Sequence, residues 1–171
     1  MGVYYEYYRA ADRVSATVRP EHTRVIGVLS RGVPEFDVVE TKWIDPEVCL
    51  GKLVAFAGEV DYSADLVETV ELYPPPEGAP RSDEEWDALP EDFPYRDGPA
   101  IAELLVNVRD VLAGVDDARL PALAEQWAAI EEFSRFTYDD EGYTLSLVKD
   151  LVGLARRAKE NDQLLYCWMC V

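Results

Sequence analysis

The chain has 171 residues, with 34 acidic side chains against 16 basic ones and a formal net charge of −18. Hydrophobic residues make up 49% and aromatics 11%, which excludes a disordered chain and suits one domain with a real core. The charge excludes a protein that grips nucleic-acid phosphates, because such contacts need clustered Lys and Arg.

Val3 to Arg9 is crowded with tyrosine, and aromatics favour strands. One face carries Val3, Tyr5 and Tyr7, the other Tyr4, Glu6 and Tyr8. A strand aromatic on both faces is expected to be central, covered on one side and lining a groove on the other. Residues 11–18 and Arg24–Leu29 read as short elements, and Phe36–Trp43 as a strand. Ile44-Asp45-Pro46 is the clearest helix start. Asp45 can cap the free amides, Pro46 suits the first helical position, and Glu47 suits the positive end of the dipole. Val48, Cys49, Leu53, Phe56 and Ala57 then share a face, and Gly58 ends the helix.

Leu66–Tyr73 also fits a helical period, but its β-branched residues and the three prolines after it favour a strand. Ala100–Ala113 fits either one helix or a strand to Val106 followed by a helix capped by Asn107; the second is preferred. Asp116 or Asp117 starts the next helix, 117–133, in which Leu120, Leu123, Trp127, Ile130 and Phe133 form a stripe. The last helix runs from Thr144 to Lys159, with Arg156, Arg157 and Lys159 at its negative end. Leu164–Val171 closes the chain as a buried strand. No internal repeat is visible.

The charge is uneven. Residues 1–58 carry net −1, residues 59–97 net −11 and residues 98–171 net −6. The middle segment also holds six prolines, so about 74–98 is expected to be an acidic loop with at most a short helix. Ser82 and Glu85 form a capping box that would turn Trp86 and Leu89 inward. Asp83, Glu84, Glu85, Asp87, Glu91 and Asp92 are the densest acids and the candidate surface for a basic protein partner, since such encounters are electrostatically steered.

Few motifs carry chemistry. Cys167-Trp168-Met169-Cys170 has redox spacing, but it lies in an apolar run rather than at a helix N-terminus. On a strand the two thiols would point to opposite faces. A metal site would have to draw on Cys49 and His22 as well. His22, the only histidine, sits in a polar, turn-like stretch and reads as a surface residue. There is no H-E-x-x-H, phosphate-binding glycine loop, dinucleotide fingerprint or G-x-S-x-G, so no catalytic residue and no cofactor is expected. Tyr4, Glu6 and Tyr8 together could wall a groove for a small molecule. The N-terminus lacks a signal-peptide pattern, and no apolar run approaches the roughly 20 residues of a membrane span. Three cysteines are too few for a secreted disulfide scaffold, so a reduced cytoplasmic protein is expected. Twelve Arg against four Lys, with abundant Ala and Val, fits GC-rich bacterial coding.

The start Met1-Gly2-Val3-Tyr4, the helix after Asp45-Pro46, the helix Leu147–Ala158 and the strand Leu164–Val171 with its Cys-Trp-x-Cys tail resemble uncharacterised bacterial proteins of the YfbM type and small actinobacterial proteins with such a tail. The likeness covers the ends of the chain and not residues 60–98. It implies an α+β domain of unknown function and carries over no catalytic residue. The expectation is therefore a single α+β domain, a mixed or antiparallel sheet with helices packed on it. Its leading role is a non-enzymatic binding or interaction module, immunity-like or regulatory. The alternatives are a small-molecule enzyme or binder at the Tyr-lined groove, or a metal protein using Cys167 and Cys170.

Overall fold

The computed structural model describes residues 3–25, 35–91, 93–96, 98–135 and 142–170. The tyrosine run forms strand β1 (Tyr4–Ala10). One helical turn follows, α1 (Arg13–Ala16), capped by Asp12, whose carboxylate accepts from the Ser15 amide at 2.7 Å. Arg24 and Val25 lie in no helix or strand, and the rest of the expected element Arg24–Leu29 falls outside the described residues. Strand β2 is Val38–Lys42.

Asp45 caps as its position predicts, accepting from the amides of Val48 at 2.6 Å and Cys49 at 3.3 Å. The expected helix 46–58 is in fact a wide π-type turn, Pro46–Leu50, running into α2 (Gly51–Gly58). The chain leaves α2 through Glu59, which takes the left-handed conformation at φ 55°. Arg119 donates to the carbonyls of Ala57 at 3.2 Å and Phe56 at 3.3 Å, so one guanidinium closes the negative end of this helix.

A short 3-10 turn, Ala64–Leu66, uses up the start of the expected strand, leaving β3 as Thr69–Tyr73. The proline-rich stretch holds a 3-10 turn, Pro76–Gly78, and the five-residue α3 (Asp83–Asp87). Strand β4 (Ala100–Leu104) stops two residues before Val106, and α4 (Val106–Ala113) begins there with Leu105 at the cap. Asn107 is thus not the cap. It lies inside the first turn, and its amide group donates to the Leu66 carbonyl at 2.9 Å, tying α4 to the turn ahead of β3. The expected helix 117–133 is three pieces. A 3-10 turn at Asp117–Arg119, capped by Asp116, leads into α5 (Leu120–Ala128), and a second 3-10 turn spans Glu131–Arg135. Such tight turns are common at helix ends, where the ladder runs out of partners. Helix α6 (Tyr143–Glu160) and strand β5 (Leu164–Cys170) complete the chain. No helix among the described residues is long and apolar enough to cross a membrane.

The five strands form one antiparallel sheet in the order β2-β1-β5-β4-β3, so the domain is α+β. The last strand is its centre. Tyr7 of β1 and Ala102 of β4 both sit opposite Cys167. One sheet face (Tyr7, Val39, Leu104, Leu165 and Cys167) carries the main core, with the apolar stripes of α2, α4, α5 and α6. Within it, Trp127 donates its indole N–H to the Cys49 carbonyl at 2.8 Å and meets Phe133 edge-on at 4.9 Å.

The other face carries a smaller cluster of Tyr8, Ala10, Ala16, Ile101, Tyr166 and Trp168. No helical layer covers it among the described residues. Segment 12–25 and Phe36 do so, held by polar groups. Arg24 is the hub, with only 1% of its surface exposed. Its guanidinium donates to the carbonyls of Val18 at 2.8 Å and His22 at 2.7 and 3.1 Å, and to that of Arg19. It also lies 5.7 Å from the Tyr8 ring centre and 5.0 Å from that of Phe36. Trp168 donates to the Pro20 carbonyl at 2.8 Å, and Tyr8 to that of Ala16 at 2.7 Å. Arg13 forks onto Glu103 at 2.9 and 3.0 Å.

Candidate functional site

The carboxylates fall into two groups. Outside residues 59–97, many have a structural task. Asp12, Asp45 and Asp116 cap helical turns. Asp37 is shared by Arg9 and Arg157, Glu103 is held by Arg13, Glu132 by Lys52, Asp117 by Arg156, and Asp110 by Arg109 and Lys159. Glu35 pairs with Arg19.

Within residues 59–97 the pattern reverses. All eleven acids described there, Glu59 to Glu91, are exposed. Among the described residues, Glu59 with Arg119, at 3.5 Å, is the single ion pair they form. The segment's own bases do not neutralise them. Arg96 instead donates to the carbonyls of Trp86 at 3.3 Å and Leu89 at 3.2 Å, stapling the turn that follows α3. Tyr95 donates to the Pro75 carbonyl and stacks on Phe93.

Of the six candidate docking acids, Asp83, Glu84, Glu85 and Asp87 come together on α3. Glu91 is exposed just beyond it, and Asp92 lies outside the described residues. Ser82 caps α3 by accepting from the Glu85 amide at 3.2 Å. The Glu85 carboxylate bonds the Arg81 amide at 2.7 Å rather than that of Ser82, so the capping box is displaced by one residue. Trp86 does not turn inward as the box implied. It is 39% exposed, and Phe93 is 37% exposed. An isolated five-residue helix has no neighbouring layer to bury it against, so its aromatic stays at the surface beside the acids.

The second candidate set is separated by burial. Tyr4 is exposed at the sheet margin, whereas Tyr8 is fully buried and Glu6 is 3% exposed. The Glu6 carboxylate accepts from the Arg24 amide at 2.5 Å and from the Thr23 hydroxyl. The face that carries Tyr4, Glu6 and Tyr8 is thus filled by segment 12–25 and Phe36.

A cleft of about 310 Å³ opens on the opposite face. It sits at a corner of the sheet, beside the first turn that Asp45 caps. Tyr5 and Met169 supply one side, Thr69 and Glu71 another, and Asp45, Pro46 and Glu47 a third, over a floor of Ala100, Ile101 and Ala102. Burial first, and the charge of Asp45 second, push the Tyr5 phenol up to about 12. No motif names these residues, which come from five separate stretches of chain. The signal was the alternation in Thr69-Val70-Glu71-Leu72. Its polar members share the helix-bearing face, where a fully covered strand carries apolar residues.

The cysteines do not converge. Cys167 belongs to the main core, while Cys170 packs against the cluster on the other face. Burial drives the Cys49 thiol up to about 12, with Asp45 adding to it, and drives that of Cys167 higher still. Among the described residues no group of three or more His, Cys, Asp or Glu side chains is placed to hold a metal ion. His22 is exposed. No protein-family model, no curated protein and no solved structure matches the chain.

Proposed function

We propose that this protein is a non-enzymatic interaction module that docks on a basic protein through its acidic 59–97 segment. The observation that carries the reading is the division of labour among carboxylates. Many of those elsewhere cap helical turns or hold Arg and Lys side chains, while all eleven described in residues 59–97 stay exposed, with one ion pair among them. Like charges crowded on a surface repel one another, and a complementary partner relieves that repulsion. Trp86, Phe93 and Tyr62 are exposed within the same segment, and Trp and Tyr are enriched among the residues that dominate binding energy at interfaces. A regulator or neutralising partner of a basic protein fits this description.

The test is affinity capture at low salt, identification of the bound protein, and measurement of association rates against ionic strength. The reading expects association to slow steeply with salt, and by roughly tenfold or more when Asp83, Glu84, Glu85 and Asp87 are replaced together by Lys. An association rate unchanged by salt and by these four substitutions would refute it.

A further inference from the structure

We propose that the cleft between Tyr5, Glu47, Glu71 and Met169 is a binding site for an alkylguanidinium or alkylammonium group. This goes beyond the docking role of residues 59–97 and does not depend on it: the cleft shares β3 and Glu71 with that segment, but none of the α3 acids Asp83, Glu84, Glu85 and Asp87 lines it.

Three features select this chemistry. The first is sign. Asp45, Glu47 and Glu71 line the cleft, and among the described residues no Lys or Arg does. The Asp45 oxygens are already engaged by the amides of Val48 and Cys49. The Glu47 and Glu71 carboxylates have no hydrogen-bond or ion-pair partner among the described residues, and they remain free to accept. An anion would meet three negative charges here. A neutral apolar ligand would strip water from carboxylates and give nothing in return.

The second is shape. At about 310 Å³ the cleft is at the small end of ligand cavities, the size for one side chain or a compact amine. The third is the floor. Ala100, Ala102 and Met169 give an apolar surface for a methylene stem, and Met adapts to its shape. Tyr5 borders the same space, and a cation over an aromatic face gains further attraction. A planar guanidinium can also meet a carboxylate with two parallel hydrogen bonds.

The same head group could arrive on a free small molecule or on an arginine of a protein. The experiment uses the whole chain and calorimetry or amide chemical shifts, with n-butylguanidinium, N-acetyl-arginine amide and the neutral isostere n-butylurea as probes. The site predicts saturable binding of n-butylguanidinium with Kd of about 1 mM or tighter and at least tenfold weaker binding of n-butylurea. Equal binding of acetyl-arginine amide identifies a protein side chain as an acceptable source, and binding of n-butylguanidinium alone restricts the site to free cations. The paired substitution Glu47→Gln and Glu71→Gln, at exposed positions, should weaken binding at least tenfold. Ala100→Leu, which fills the floor, should abolish it. Replacing Asp83, Glu84, Glu85 and Asp87 with their amides should leave it unchanged, which separates the cleft from the field of the acidic segment. No binding of either cation, equal binding of the urea, or indifference to Glu47→Gln and Glu71→Gln would overturn the proposal, and none of these results bears on docking by residues 59–97.

Discussion

Arg24→Met is the sharpest probe of the polar layer over the second sheet face. Methionine keeps a long apolar stem against Tyr8 and Phe36 but removes every donor. The carbonyls of Val18 and His22 then lose the guanidinium together, and that of Arg19 keeps only the His22 amide at 3.0 Å. Charged hydrogen bonds contribute roughly 1.5–3 kcal/mol each, and a desolvated cation over aromatic rings about 2 kcal/mol. Burial of the guanidinium opposes these gains by several kcal/mol, and desolvation is the cause that lowers the Arg24 pKa. Water also recovers part of the loss, since Val18, Arg19 and His22 are exposed. The net expectation is a loss of about 3 kcal/mol, the low end for breaking a buried charged contact. For a domain of this size that lowers Tm by roughly 6–12 °C. Calorimetry at neutral pH measures it directly. Arg24→Lys, which keeps the charge but not the planar fork, should fall between wild type and Arg24→Met. A loss under about 1 kcal/mol for Arg24→Met would show that apolar contacts alone hold segment 12–25 in place and that its guanidinium is no hub.

Asp37 sets part of the acid limit of stability. Hydrogen bonds from Arg157, and then from Arg9, hold its carboxyl below the ordinary 3.8. A carboxylate with a lowered folded pKa contributes stability above its unfolded value and loses it as pH falls through the folded one. Asp37→Asn should therefore be less stable than wild type at pH 7, with the gap closing below about pH 4 in a series of denaturant melts; a gap that persists in acid contradicts the assignment. Native protein at pH 8 should give at most one fast-reacting thiol, Cys170, because burial raises the pKa of both Cys49 and Cys167. A colorimetric thiol titration should rise to three equivalents in denaturant, and two fast equivalents in the native state would refute the burial argument.

The sequence was most readable where one local rule acted alone. Asp45-Pro46 carried both the cap and the first-turn proline, and the last helix, expected over Thr144–Lys159, runs Tyr143–Glu160. Boundaries slipped where two rules competed. Leu105 and Val106 suit a strand, but the sheet ends at Leu104, so the helix starts ahead of Asn107 and turns that residue into a tether. The cover over Tyr8 was not legible, because its organising residue is an arginine, and no hydropathy pattern says that Arg24 is buried. Its partners are main-chain carbonyls, which look alike in every sequence. The cleft was hidden for a related reason. Tyr5, Glu47, Glu71 and Met169 meet only once the strand order is known, and β5 is what brings the first and last strands together.

The central place of β5 also bears on how the molecule is made. The β1-β2 pair and the β3-β4 pair are each complete long before residue 164 is synthesised, yet they share no ladder with each other. Both wait for the same seven residues, which must leave the ribosome and enter between them. Until then each half presents an open strand edge, the kind of surface that pairs with other chains. Nascent chains stalled before Leu164 should thus recruit chaperones, and entry of β5 is the event that joins two half-sheets into one.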